Sequence, residues 1–129
     1  MASGLPAATG DVLTAATVNG LVTFTVGSDQ TADYTAVLAD QYQVLVHMNK
    51  ATAVAFKIPT NASVAFPVGT AITVLNKGAG TVTISAVTSG TTTVLSAGAV
   101  AASPTLAQYK TAVCIKTATD TWYVVGAIA

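Results

Sequence analysis

Thr111-Ala112-Val113-Cys114-Ile115-Lys116 and Thr121-Trp122-Tyr123-Val124-Val125, joined by Thr117-Ala118-Thr119-Asp120, decide the fold class. Both runs are rich in β-branched and aromatic residues, and four turn-prone residues separate them. That combination describes two strands and a terminal hairpin. The same alternation with a period of two extends back through the chain. Strands are expected at 21–26, 34–38, 42–48, 53–58, 71–76 and 81–87, with weaker ones at 91–95 and 99–101. Ala39-Asp40-Gln41 and Lys77-Gly78-Ala79-Gly80 have hairpin-loop lengths. Turn signals recurring every 8–12 residues or so imply an all-β protein, an antiparallel β-sandwich or a jelly-roll-like barrel. No helical segments alternate with the strands, which disfavours a parallel α/β sheet.

Residues 1–20 differ from the rest. Gly4, Pro6 and Gly10 suggest an extended N-terminal arm, and Thr14 followed by Asn19-Gly20 frames one short helical turn. So short a helix is not stable alone and must dock on something. Leu5, Val12, Leu13 and Val18 are its apolar anchors and the candidate contacts to a partner or a neighbouring subunit. The division is therefore an arm at 1–20 and a β-domain at 21–129.

Composition narrows the function. Ala, Val and Thr make up about half of the 129 residues, there is no Arg or Glu, and only 8% of residues are charged. Soluble domains ordinarily carry about 25% charged residues. With five cations, five anions and no net charge, the surface depends on hydroxyls or is covered by copies of the chain or by a partner. The lysines (50, 57, 77, 110 and 116) are scattered and cancelled by the acids, which argues against nucleic-acid binding; on strands and near turns they fit the guarding of sheet edges. No run of about 18 apolar residues suggests a membrane helix, and the N-terminus lacks the basic start and apolar core of a secretory signal.

The chemistry-bearing residues do not assemble into a site. His47 is the only histidine, and its nearest acid in sequence is Asp40; no nucleophile elbow accompanies it, so a packed or interface histidine is expected. One His, one Cys and scattered Asp offer no metal-ligand spacing. Cys114 reads as a small core hydrophobe. Gly78-Ala79-Gly80 lacks the Lys-Ser/Thr pair and helix of a phosphate loop. Among the aromatics, Phe24, Phe56 and Phe66 read as core. Tyr109, Trp122 and Tyr123 are candidates for an exposed aromatic contact, and with Tyr34 and Tyr42 could form a sugar platform. Successive side chains on a strand point oppositely, so Trp122 and Tyr123 cannot both face inward. No enzyme, cofactor or metal is expected.

Three stretches carry a resemblance. Phe66-Pro67-Val68-Gly69-Thr70-Ala71-Ile72-Thr73-Val74 leads into Lys77-Gly78-Ala79-Gly80-Thr81-Val82-Thr83-Ile84; Ala107-Gln108-Tyr109 precedes the terminal hairpin closing at Gly126; and Gly10–Asn19 forms the third. The first two resemble a module of tailed-bacteriophage virion proteins, spanning about 33–129, and the third resembles a short segment common in phage structural proteins. The resemblance implies a structural part made in the bacterial host cytoplasm and incorporated into the virion. A short stand-alone chain fits a capsid decoration (cement) protein on the head exterior, a homotrimer whose partners are itself and the major capsid protein. A tail-fibre or spike module binding a host receptor or glycan is the alternative.

Overall fold

A computed structural model describes residues 23–96 and 103–128. The arm at 1–20, with Leu5, Val12, Leu13 and Val18, lies outside the described residues, as does the weak strand expected at 99–101. The described chain is all-β. It has ten strands: β1 (Thr25–Val26), β2 (Tyr34–Thr35), β3 (Val44–Met48), β4 (Val54–Ile58), β5 (Ala71–Asn76), β6 (Val82–Ala86), β7 (Thr93–Leu95), β8 (Thr105–Leu106), β9 (Thr111–Ala118) and β10 (Thr121–Gly126). They form two sheets, ordered β1-β3-β5-β9-β10-β7 and β2-β4-β6-β8.

From β1 to β6 the chain alternates between the sheets, and each strand lies parallel to the preceding one in its own sheet. From β3 to β5 and from β4 to β6 the advance is 28 residues, Leu45 pairing with Thr73 and Val54 with Val82; the preceding steps are shorter, Thr25 pairing with Val44 and Tyr34 with Phe56. This half of the molecule is a parallel coil. The second half closes it, with β9 antiparallel to β5, β10 antiparallel to β9, and β8 antiparallel to β6.

The antiparallel pairing expected from the sequence is thus corrected: five of the eight strand pairs are parallel. Two expected hairpins are also corrected. Residues 39–41 belong to a 3-10 turn, Leu38–Gln41, that carries the chain from one sheet to the other. Residues 77–80 form an arch between β5 and β6, which lie in different sheets. A short turn can reverse a strand or carry it across a core, and strand periodicity does not distinguish the two. The terminal hairpin, β9 to β10, forms where the sequence places it.

Stacking explains the arch. Lys77 N–H donates to Met48 C=O (2.8 Å), Gly80 N–H to Lys50 C=O (2.9 Å) and Val54 N–H to Thr81 C=O (3.1 Å), so the arch rests on residues 48–54 of the preceding turn. Asn76, fully buried, organises it from within. Its Nδ2 donates to Gly80 C=O (2.8 Å) and, across to the other sheet, to Leu106 C=O (2.9 Å), while its Oδ1 accepts from Gly78 N–H (3.0 Å). A Cβ at Gly78 would overlap the Lys50 backbone, and one at Gly80 the Thr52 backbone. Glycine is used here for close approach, because neighbouring main chain cannot yield as a flexible side chain can. Gly80→Ala is expected to destabilise the domain by about 3 kcal/mol, read as a lower urea midpoint; an unchanged midpoint would contradict the stacked arch.

One core lies between the sheets. Val46, Met48, Ile72, Val74, Cys114, Trp122 and Val124 reach it from the six-stranded sheet, and Val54, Phe56, Ile58, Val82, Ile84 and Leu106 from the four-stranded sheet. Phe66 packs edge-on against Trp122, ring centroids 5.5 Å apart at 90°, a favourable aromatic geometry. Tyr34 stacks on Phe56 at 6.0 Å. Phe56 and Phe66 are core as the sequence suggests. Phe24 is not: it precedes edge strand β1 and is 55% exposed.

Candidate assembly face

The alternation that sends Val46, Ile72, Val74, Ala112, Cys114, Trp122 and Val124 inward sends their neighbours out. Across the six-stranded sheet those neighbours fall into rows. Val26 pairs with Leu45, Leu45 with Thr73, Thr73 with Val113, and Val113 with Val125. A second row runs Ala71, Ile115, Tyr123, Leu95. A third joins His47, Leu75 and Thr111. Val26, Tyr123 and Val125 are exposed, whereas Leu45, Leu75, Leu95, Val113 and Ile115 are partly covered by their neighbours. These rows contain no Lys and no Asp.

The opposite face of the molecule differs. On the four-stranded sheet the outward residues are Thr35, Ala55, Lys57, Thr83, Ser85 and Thr105. They are small, mostly hydroxylated and carry one cation. The chain therefore presents an apolar, charge-free face on one sheet and a hydroxyl-rich face on the other. With strands about 4.8 Å apart and same-face residues about 6.8 Å apart along a strand, the three rows cover roughly 400 Å². That is as large as the biggest apolar patch of an ordinary monomer, about 300–600 Å². Such patches commonly mark contacts.

A polar cluster bounds this face at the β1 edge. Between β1 and the bridge from Gln30 to Met48, residues 27–29 leave the ladder and close over the His47 ring. His47 Nε2 lies 2.6 Å from Gly27 C=O, and Nδ1 lies 2.5 Å from Asp29 Oδ1. Lys77 Nζ donates to Asp29 Oδ1 (2.6 Å) and Asn49 Nδ2 to Asp29 Oδ2 (3.0 Å). The carboxylate partner of His47 is therefore Asp29, a loop residue, and not Asp40, the nearest acid in sequence. Asp40 serves the turn instead. It is buried and accepts from Tyr34 OH (2.7 Å) and Val37 N–H (2.9 Å), which fixes the 3-10 turn.

The Lys77 ammonium, then Asn49 and His47, lower the Asp29 carboxyl to about 2 from its ordinary 3.8. A lowered folded-state pKa means that the ionised form is favoured in the fold. The contribution is present above about pH 4 and is lost as pH falls towards 2. Thermal melts of the native chain and Asp29→Asn should differ above pH 4 and converge near pH 2; a constant difference across that window would contradict it.

Several residues singled out in the sequence find their places. Tyr109 and Tyr123 are exposed, while Trp122, grouped with them as a possible contact, is corrected to core at 1% exposure. Tyr34 is partly buried against Phe56 and so does not join an open sugar platform. Cys114 is fully buried, and burial pushes its thiol up to about 12. Lys116 is corrected from edge guard to core residue: 2% exposed, its Nζ donates to Asn61 Oδ1 (2.6 Å) and Phe66 C=O (2.7 Å). Among the described residues, no three of His, Cys, Asp and Glu gather where they could hold a metal ion.

The apolar rows could not be read from the sequence, because they depend on which strands are neighbours. Their signal was the 28-residue offset, faint since Thr73 stands opposite Leu45 and Leu75 opposite His47. No family, curated protein or solved structure matches the chain.

Proposed function

We propose that the chain is a structural protein of a tailed-bacteriophage virion, a capsid decoration protein that binds and stabilises the head exterior as a symmetric oligomer. It works by binding alone, as a β-sandwich whose two outer faces meet different surroundings. The observation that carries this reading is the contrast between those faces. An apolar face without Lys or Asp is suited to being covered, and a face of Thr, Ser and one Lys to being wetted. The resemblance to phage virion proteins supplies the setting. The residues that carry it, 66–74, 77–84 and 107–126, build β5, β6, β9, β10 and the arch, the framework of both sheets.

One observation favours a tail-fibre or spike module instead. An open cleft is lined by Gln41 and Gln43 on one side and by Pro67 to Ala71 on the other. Side-chain amides are groups that bond sugar hydroxyls.

The copy number in purified virions, by quantitative mass spectrometry against the major capsid protein, separates the two. A ratio near that of the capsid protein is expected. A ratio lower by one or two orders of magnitude would overturn the head assignment in favour of the tail.

A further inference from the structure

We propose that Lys116 and Asn61 are the two halves of an intramolecular amide cross-link, formed by the folded chain itself with release of ammonia. The inference is independent of the virion setting and follows from the contacts of one buried side chain.

Lys116 is 2% exposed and reaches inward from β9. Its Nζ donates to Asn61 Oδ1 at 2.6 Å and to Phe66 C=O at 2.7 Å. Both acceptors are neutral, and among the described residues no carboxylate forms a salt bridge with it. A buried ammonium without a counter-charge is costly, and a carboxylate is the ordinary remedy. Here an amide stands in that place. What an amide brings that a carboxylate lacks is a neutral, electrophilic carbon carrying a nitrogen able to leave.

The placement suits attack. Oδ1 is about 1.2 Å from Cγ, so Nζ lies within about 3.8 Å of that carbon. A small rotation of the lysine side chain reaches the roughly 3–3.5 Å of a near-attack arrangement. Asn61 is held from its main chain, where its N–H donates to Asp120 Oδ1 (2.7 Å), an oxygen that also accepts from Thr92 Oγ1 (3.1 Å). Asp120 is therefore a positioning residue. Solvent access differs across the pair. Lys116 is enclosed, with Trp122 opposite it in register, whereas Asn61 is partly exposed. Water is kept from the amine, and released ammonia has a way out.

The step balances. Nζ gives one proton to solvent and attacks Asn61 Cγ as the neutral amine. The Nζ–Cγ bond forms, the Cγ–Nδ2 bond breaks, and a second Nζ proton moves to Nδ2, which leaves as ammonia. No oxidant, reductant or cofactor enters. The hydrogen remaining on Nζ continues to donate to Phe66 C=O, and the buried charge is gone. The two hydrogen bonds of Nζ belong to the chain before coupling, the state against which the stability of Lys116 variants is set. The product joins the segment between β4 and β5 to β9 covalently, closing a loop over 61–116 that restricts the unfolded chain. With a single cysteine, the chain has no disulfide that does the same.

The test is mass spectrometry of the full-length chain, incubated folded, then denatured and digested with trypsin. Coupling makes the intact chain lighter by one ammonia, blocks cleavage after Lys116, and joins peptide 58–77 to peptide 111–129. That branched peptide is expected, with fragmentation placing the branch between Asn61 and Lys116. Lys116→Met and Asn61→Ala should each keep the full mass expected of their sequences. Asp120→Ala should slow coupling about 100-fold, and Asp120→Asn, which keeps the Oδ1 acceptor, should restore it. The native chain decides the matter even where a variant fails to fold. A native chain of full mass that is cleaved after Lys116 into peptides 111–116 and 117–129 would overturn the inference. So would a loss of ammonia mapped to another asparagine, such as Asn19 before Gly20, where cyclisation releases ammonia without a branch.

Discussion

Trp122→Ala is expected to remove about 4 kcal/mol of stability, the largest loss from any single truncation in this chain. Trp122 is 1% exposed on β10, opposite Lys116 of β9 in register, and its ring meets Phe66 edge-on at 5.5 Å. Removing it leaves a void on the inner face of the larger sheet and strands Phe66, the residue that anchors the segment between β4 and β5. The edge-to-face contact adds about 1 kcal/mol beyond the area buried. Small domains hold about 5–15 kcal/mol in total, so the variant should melt lower by roughly 15 °C. The only tryptophan goes with the substitution, so far-ultraviolet circular dichroism is the probe. Tyr123→Ala, one residue along and facing outward, should cost well under 1 kcal/mol to the isolated fold. Equal losses at the two positions would contradict the assignment of faces.

Strand alternation made legible only that Trp122 and Tyr123 face opposite ways. A period of two permits two phases, and with apolar residues in both phases of 112–115 and 122–125 the sequence did not show that Ala112, Cys114, Trp122 and Val124 are the inward set. Strand partners were not legible. A loop such as Lys77-Gly78-Ala79-Gly80 is chemically apt for a hairpin, and only its stacking on residues 48–54, with Asn76 bonded inside it, makes it an arch. The parallel coil was hidden because its repeat is kept in geometry more than in residue identity: Met48 stands opposite Asn76, and Lys57 opposite Ser85. The assembly face depends on that pairing and was hidden with it. Charged residues misled for a related reason. His47 meets Asp29 only because residues 27–29 bulge from a strand edge, a detail without periodicity.

Lys116 is where sequence reasoning and structure diverge most. Lys116→Ala is expected to cost about 3–4 kcal/mol. The side chain points into the core from β9, and its ammonium meets two neutral oxygens, Asn61 Oδ1 and Phe66 C=O. The same residue holds the incoming chain through its main chain, donating to Thr70 C=O (2.9 Å) and accepting from Gly69 N–H (2.7 Å). Asn61 is held in turn by Asp120, whose Oδ1 accepts from Asn61 N–H (2.7 Å) and from Thr92 Oγ1 (3.1 Å). Lys116 thus ties the segment between β4 and β5 to the closing hairpin. Truncation opens a cavity and leaves the buried Phe66 C=O and the partly buried Asn61 Oδ1 without this donor, a loss of about 1–3 kcal/mol for a buried acceptor. Lys116→Met separates these effects, since it keeps most of the volume and loses the donors. Burying an ammonium is itself costly, and apolar replacement of buried charges is often neutral or stabilising by about 1–4 kcal/mol. In this network, however, methionine removes the charge without relieving Asn61 Oδ1 or Phe66 C=O, so a loss of about 2 kcal/mol is expected. Urea midpoints at unchanged m-value measure both variants. A methionine variant as stable as the native chain would show that Lys116 holds the segment by bulk and not by its hydrogen bonds.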